Sequence, residues 1–456
     1  MKGDLAERIQ NRGGGGSPGS RAEWWRSDFS AHGSYEPEVT AGARMGVQDS
    51  PLPFWALMAF TCILLLSPQR FLPLLSTLRI ALAAAAIAAA AYLFDRLLQR
   101  RPISLVTREM WLTASLFAWA ILTLPLSYWP GGSATFLYDV YFKSLLIFWL
   151  LSNTVNTVAR MRQIFWVLTL MSIPLGATAV ENFLSGTFLP QGDKRIIGYE
   201  APLTRNPNDL ALMLNLILPL SVALFGIHRK LWIRVLLATA MLASVGAVIV
   251  TFSRSGFVTL VAISVLYLWR LLRGSRSGSA LMMLVLVLLS VPFFPSGYLE
   301  RVGTIPDIES DPTGSSQQRW NDVVAAASFV LRNPIVGAGV GMNILALNEE
   351  RGPLWLEVHN VYLQFAVELG LPGLILFVLL LLSCLKGAGL VEQQSATMPA
   401  LREFFCLAAA IRVSLIGFTV AAFFYPVGYQ FYFYYFAGLT VALKALYGAE
   451  ARGDAV

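Results

Sequence analysis

Few side chains of this chain can transfer a proton near neutral pH. The sequence holds three histidines, at positions 32, 228 and 359. His359 lies where a polar segment meets a long apolar run, which places it at the surface of a membrane. Imidazole is the only side chain whose ordinary pKa lies close to physiological pH. His359 is therefore the first candidate for proton chemistry, against the alternative of a histidine that only packs between helices.

A candidate anion-binding group lies in the sequence Ser253-Arg254-Ser255-Gly256. These residues interrupt a long apolar stretch over 231–272, so we predict a tight turn between two membrane spans. A charge held at a membrane is costly and indicates a function. Arg254, with the hydroxyl groups of Ser253 and Ser255, is predicted to bind an anion. The alternative is a guanidinium group that only reaches the lipid headgroups.

Two further arginines stand at the start of predicted helices. Arg205 precedes Asn206 and Pro207, which suit an N-cap and a first helical turn, and the N-terminus of a helix binds anions. A plain cap beside a solvated arginine is the alternative. Arg319 opens an amphipathic stretch over 315–331, and arginine can hold phosphate oxygens with two parallel hydrogen bonds. Several arginines on one membrane face would suit a diphosphate.

The composition is that of a membrane protein with several spans. Hydrophobic residues make up 56% of the 456 residues and charged residues 13%, with a mean hydropathy of +0.61. The net charge of +7 falls mostly in short loops, a pattern that indicates membrane topology rather than nucleic acid binding. The sequence shows no His/Cys cluster, paired acidic motif or nucleotide-binding loop, so we expect no metal and no cofactor.

The apolar runs predict an all-α polytopic fold with about twelve transmembrane helices, each near the 20 residues that cross a bilayer. The predicted spans are 52–67, 72–94, 110–128, 136–152, 162–183, 207–226, 231–252, 255–272, 279–295, 358–385, 402–421 and 424–446. Residues 1–50 are predicted to be a disordered tail. Helices 1–9 then occupy 51–295 and helices 10–12 occupy 358–447. A large extramembrane segment, 296–357, separates them, and 448–456 is a short tail.

Arginine and lysine are concentrated in alternate loops, which predicts the orientation of the chain. These basic loops lie near 96–108, 160–162, 229–234, 270–276 and 386–402. They are expected to be cytoplasmic, together with both termini. The opposite face then carries Arg205, Arg254, His359 and the segment 296–357, so the candidate groups share one side of the membrane.

Helical spacing makes a prediction about the surroundings of His359. If the helix of the span 358–385 includes His359, Gly370 lies on nearly the same face and Glu368 on the opposite face. Glu368 is then a poor candidate for orienting the imidazole. A stretch upstream is predicted to break regular structure and to let the backbone approach a neighbour closely; its glycines are Gly337, Gly339 and Gly341.

Taken together, these residues resemble a known family. His359-Asn360, followed after nine residues by Gly370-Leu371-Pro372-Gly373, resembles the His-Asn/Ser-x9-Gly-x-x-Gly signature of the bacterial O-antigen ligase and O-antigen polymerase superfamily. The stretches 204–208, 253–256, 316–320 and 333–339 resemble the family's other segments, in the same order. The resemblance covers roughly residues 190–375, and the flanking helices agree only in hydropathy.

The resemblance implies a GT-C-type membrane glycosyltransferase at the periplasmic face of the bacterial inner membrane. Such an enzyme takes a glycan from undecaprenyl diphosphate and inverts the anomeric centre without a metal. The acceptor is a sugar hydroxyl of lipid A-core in a ligase, and another repeat unit in a polymerase. The twelve-span layout and the single long outer segment favour an O-antigen ligase. An O-antigen or exopolysaccharide polymerase is the alternative, followed by a transporter or flippase.

The resemblance also implies roles for individual residues. Arg205 and Arg254 would hold the diphosphate, with Arg319 as a third contact. His359 would accept the proton of the acceptor hydroxyl as general base. Further substrate contacts would come from Asn360, Ser253 and Ser255. All of these side chains are expected to line one outward-facing cavity.

Overall fold

The described part of the chain is helical, as predicted. The computed structural model describes residues 50–70, 80–190, 195–273 and 315–453. The predicted tail up to residue 49, the predicted span 279–295 and the first part of the segment 296–357 lie outside these residues. The chain is therefore an all-α polytopic membrane protein, and the predicted number of twelve spans stays a prediction.

Thirteen helices are described in the four ranges above. They are α1 Leu52–Leu66, α2 Ile80–Leu98, α3 Arg108–Leu122, α4 Pro130–Thr154, α5 Val158–Leu184, α6 Pro207–Ile227, α7 Leu231–Val250, α8 Arg254–Arg273, α9 Ser315–Arg332, α10 Asn343–Arg351, α11 Val361–Ser395, α12 Arg402–Ala421 and α13 Phe431–Ala451. Short 3₁₀ turns lie at Pro68–Arg70, Leu124–Leu126 and Pro399–Leu401. Eight of the described helices are long and apolar enough to cross a membrane: α2, α4, α5, α6, α7, α8, α11 and α12.

Helix α13 forms the centre of the bundle. Every residue from Phe431 to Leu443 is buried, and the helix packs against α4, α11 and α12. A helix that is buried on all sides needs partners for its polar groups. The Tyr434 hydroxyl donates to Tyr141 at 3.2 Å, and the Tyr432 hydroxyl donates to the Leu203 carbonyl at 2.7 Å. The aromatic side chains of α13 are thus core residues.

Helix α11 is broken in its first half. Gly370 has φ 66° and ψ −173°, a region of backbone space that is essentially restricted to glycine. A Cβ atom at this position would lie 2.2 Å from the carbonyl oxygen of Ile335. The break therefore requires glycine both for its backbone angles and for the close approach of another segment.

That other segment is the stretch 333–341, called here the glycine loop, which fills the break in α11. The backbone N–H groups of Ala338 and Gly339 donate to the carbonyls of Val367 and Glu368, each at 2.8 Å. The indole N–H of Trp119 donates to the carbonyl of Leu369 at 2.8 Å. Three carbonyls that the break removes from helical bonding are satisfied in this way, as buried backbone requires.

The glycines of this loop also behave as the sequence predicted. Gly337, Gly339 and Gly341 all have positive φ. A Cβ atom at Gly337 would lie 2.6 Å from the backbone of Glu368, so the loop backbone lies directly against α11. The glycine loop therefore fixes the first half of α11, and with it the residues that precede this helix.

Replacement of Gly370 by alanine is expected to lower the stability of the protein by about 3 kcal/mol or more, since a positive φ and overpacking each cost a non-glycine residue about 1–3 kcal/mol. The control is Gly246→Ala on α7, where an added Cβ meets no atom within 4 Å. Thermal melting of both variants in detergent tests the prediction. Equal melting temperatures for the two variants would show that the break tolerates a side chain.

Candidate active site

Arg254 opens helix α8 at the end of a tight connection from α7. Thr251, Phe252 and Ser253 form this connection, and Phe252 has a left-handed φ of 53°. The Ser253 hydroxyl accepts a hydrogen bond from the backbone N–H of Gly256 at 3.1 Å, which makes Ser253 the N-cap. The predicted turn is therefore present, but it lies over 251–253, and Arg254 belongs to the first helical turn.

His359 lies in the loop immediately before α11, so its predicted inclusion in a helix is wrong. The Asn360 side chain accepts from the Leu363 backbone N–H at 3.0 Å and caps the helix, which begins at Val361. The Val361 N–H donates out of the helix to the Ala422 carbonyl at 2.7 Å. Because His359 has no helical position, the face argument that set it against Glu368 does not hold.

One cavity brings most of the predicted site residues together. It has a volume of about 230 Å³ and lies between the N-terminal ends of α8 and α11, helix α9 and the end of α12. Its walls are formed by Arg254, Ser255, Val258, Arg319, Trp320, Asp322, Val323, Val358, His359, Asn360, Phe423 and Phe424. Two guanidinium groups and one imidazole therefore face a single space.

Two predicted residues lie apart from the lining of this cavity. Ser253 is buried behind it, and its hydroxyl group lies 3.1 Å from that of Ser255. Arg205 is exposed before α6 and does not line the cavity. Asn206 caps α6 as predicted, since its side chain accepts from the Asn208 N–H at 2.9 Å. The predicted cap is confirmed, whereas Arg205 is not in the shared cavity.

The electrostatics of the cavity keep His359 neutral. Burial lowers the pKa of His359 to about 4, and the positive charges of Arg319 and Arg351 act in the same direction. The backbone carbonyl of Glu357 favours the protonated ring but does not reverse the shift. At neutral pH the imidazole therefore has a free lone pair and can accept a proton.

The sequence did not single out the aromatic and acidic parts of the wall. Phe423 and Phe424 follow α12, and Trp320 follows Arg319 on α9. Asp322, one turn after Arg319, pairs with Arg351 of α10. The amphipathic pattern of 315–331 was the signal that could have identified Asp322. No local signal brings Phe423 to His359, because that proximity depends on how α12 packs.

A buried tyrosine lies next to the two serines that flank Arg254. Tyr425, in the connection between α12 and α13, faces the hydroxyl groups of Ser253 and Ser255, and burial raises the pKa of its phenol to about 12. The phenol therefore stays protonated and contributes no charge to the cavity.

Within the described ranges, no group of three or more His, Cys, Asp and Glu side chains is arranged to hold a metal ion.

Part of the chain matches a known protein family. Residues 236–378 match the family model described as O-antigen ligase. This range holds Arg254, Ser255, Arg319, His359 and Asn360, whereas Arg205 and Phe423 lie outside it. Among curated proteins, none matches the chain significantly. The part of the chain that carries the charged lining of the cavity is thus similar to the O-antigen ligase family, which supports a relation to the O-antigen ligase and polymerase superfamily.

Proposed function

We propose that the chain is an O-antigen ligase, which transfers a glycan from undecaprenyl diphosphate to a sugar hydroxyl of lipid A-core. The observation that carries the proposal is the cavity in which Arg254, Arg319 and a neutral His359 face one another. The family match to residues 236–378 supports the class of reaction.

The two arginines are proposed to bind the diphosphate. Their guanidinium groups present several N–H donors in a fixed plane, which suits phosphate oxygens. The position of Arg254 in the first turn of α8 adds the partial positive charge of the helix N-terminus. Donors placed before the reaction stabilise the charge that develops on the leaving group.

His359 is proposed to be the general base. The oxygen of the acceptor hydroxyl forms a bond to the anomeric carbon, and its proton passes to the imidazole. The bond between that carbon and the diphosphate oxygen breaks, with its electron pair staying on the diphosphate. Attack from the face opposite the leaving group inverts the anomeric centre, and this chemistry makes no use of a metal or cofactor.

Donor binding is proposed to strengthen this base. In the free protein the positive charge of Arg319 helps to hold the pKa of His359 near 4. A diphosphate bound beside Arg319 adds negative charge, which favours the protonated imidazole and raises its pKa. The imidazole therefore becomes a better proton acceptor once the donor is in place, and general bases work best with a pKa near the working pH.

The place of the cavity favours transfer over transport. Arg254 begins α8 and His359 precedes α11, so both lie at helix ends rather than midway along a span. Transporters typically bind their substrate near the middle of the membrane.

We propose that the end of the bundle with Arg254 and His359 faces the periplasm, and that the chain lies in the bacterial inner membrane with cytoplasmic termini. A groove between helices is proposed to hold the polyprenyl tail. Arg205, outside the cavity, is proposed to steer the anionic donor.

The test is the lipopolysaccharide profile of a strain that lacks the gene, with and without the full-length gene returned. A ligase is expected to give lipid A-core without O-antigen in the deletion strain, accumulated lipid-linked polymer, and a restored ladder on complementation. Lipid A-core that carries a single repeat unit would instead identify a polymerase. An unchanged profile would overturn both and direct the search to another glycan or to transport.

A further inference from the structure

Glu368 is a buried carboxylate outside the cavity wall. It lies on α11 just before the break at Gly370, and its side chain is fully shielded from solvent. Its Oε2 atom accepts from the Gly341 N–H at 2.8 Å, and its Oε1 atom accepts from the Asn343 side-chain nitrogen Nδ2 at 2.5 Å. Both oxygens of this side chain therefore face N–H donors and act as hydrogen-bond acceptors.

Asn343 also contacts the loop that carries His359. Its side-chain oxygen Oδ1 accepts from the backbone N–H of Val358 at 3.0 Å, and Val358 is the residue before His359. Asn343 is itself buried at the start of α10. One side-chain amide therefore joins the Glu368 carboxylate to the backbone that carries the imidazole.

The polarity of this connection is fixed by Glu368. Both oxygens of Glu368 accept hydrogen bonds, so the amide of Asn343 turns its NH₂ group to Glu368 and its oxygen to Val358. If the amide turned over, its NH₂ group would face the Val358 N–H, and two donors would oppose each other. The acceptor oxygen of Glu368 thereby sets the position of the loop next to His359.

We propose that Glu368, through Asn343, is a positioning residue that holds His359 at the angle required for proton transfer. The inference rests on the proposed role of His359 as general base. Neither Glu368 nor Asn343 lines the cavity, so their effect on the reaction passes through the Val358 backbone. The helical spacing of the sequence had made Glu368 a poor candidate for this task, but His359 lies before α11, so that spacing does not apply to it.

Two single substitutions, each of which mismatches the hydrogen bond between residues 343 and 368, are expected to displace the loop with Val358 and His359. Glu368→Gln puts an NH₂ group opposite the Asn343 Nδ2 donor, and Asn343→Asp puts a second carboxylate beside the first. Each substitution is expected to lower kcat for glycan transfer by about 10²-fold, since a displacement of about 1 Å at a catalytic group has an effect of this size. The affinity for undecaprenyl diphosphate is expected to stay within about threefold, since the arginines that bind it are untouched.

The double variant, which combines Glu368→Gln with Asn343→Asp, exchanges the two partners and is the decisive test. The introduced aspartate can accept from the Val358 N–H with one oxygen and from the NH₂ group of the introduced glutamine with the other. The side-chain oxygen of that glutamine still accepts from the Gly341 N–H. The Tyr429 hydroxyl, which also faces residue 368, can donate or accept and so adapts. kcat is expected to return to within about tenfold of wild type, because the two exchanged side chains again pair a donor with an acceptor.

Amide hydrogen exchange of the full-length protein gives a readout that does not depend on activity. The Val358 amide is expected to exchange at least about tenfold faster in each single variant, since its acceptor is displaced, and to be protected again in the double variant. The matched control is Glu109→Gln, an equally buried carboxylate bonded to Lys444 and Ser383, each at 2.8 Å. It is expected to lower the melting temperature without changing exchange at Val358.

Two results would overturn the positioning role. One is a Glu368→Gln protein with wild-type kcat and a protected Val358 amide; the other is a double variant that is no better than the single ones. Failure of the proposed function would look different. In that case His359→Ala would keep its activity, while amide exchange at Val358 would still follow the identity of residues 343 and 368.

Discussion

His359→Ala is expected to lower the rate of glycan transfer by about 10²- to 10⁴-fold, the contribution of a positioned general base. The affinity for undecaprenyl diphosphate is expected to change by no more than about threefold, because alanine at this position leaves Arg254 and Arg319 in the cavity. Single-turnover transfer from a purified lipid-linked glycan to lipid A-core, with the full-length protein in nanodiscs, measures the rate. Binding of undecaprenyl diphosphate alone measures the affinity.

The control for this prediction is His228→Ala. His228 follows α6, and its Nε2 atom accepts from the Trp166 indole N–H at 3.2 Å, so it is a histidine outside the cavity. This variant is expected to transfer glycan at the wild-type rate. If His359→Ala were as active as His228→Ala, a proton-accepting role for His359 would be excluded.

Arg254→Ala is expected to lower the transfer rate by about 10²- to 10³-fold, the typical cost of losing one donor that stabilises a developing charge. In contrast to the histidine variant, it is also expected to weaken the binding of undecaprenyl diphosphate. Arg254→Lys should recover only part of either loss, because an ammonium group supplies a charge but not the planar pair of N–H donors. Binding and single-turnover rates of both variants test the prediction.

Arg234→Ala serves as the matched control for this pair. Arg234 is on α7, one helix before Arg254, and its guanidinium lies over the Phe225 ring at 4.5 Å from the centroid. Its loss removes the same charge from the protein without touching the cavity. Wild-type binding by Arg254→Ala, or equal losses for Arg234→Ala, would contradict a specific contact between Arg254 and the diphosphate.

Local signals in the sequence predicted several helices and the cap of one of them. Asn206 and Pro207 begin α6 as expected, and the amphipathic stretch at 315–331 is α9. The predicted span began too early, because Val358 is apolar and the apolar run resumes at Val361 after only two polar residues. The N-cap preference of Asn360 was the signal that could have corrected it.

Contacts between distant segments could not be predicted in this way. The hydrogen bonds between the glycine loop and α11 depend on a helix break, and the segment that fills this break lies in a separate stretch of the chain. In the sequence alone, a glycine that breaks a helix looks the same as a glycine that only allows close packing. The position of Arg205 depends on how the segment before α6 packs. Periodicity carries no information on that packing, so the sequence indicated the chemistry of the cavity but not its complete lining.

The break in α11 has a consequence for how the protein is made. Its exposed carbonyls are bonded by Ala338, Gly339 and Trp119, and all three donors precede α11 in the chain. A ribosome that synthesises the chain from its N-terminus therefore releases every donor before the acceptors emerge. The nascent helix α11 can then insert next to donors that are already synthesised. Its carbonyls are therefore not left without hydrogen bonds in the lipid, where each unsatisfied group costs several kcal/mol. A rearranged chain with α11 ahead of these donors loses that order of assembly.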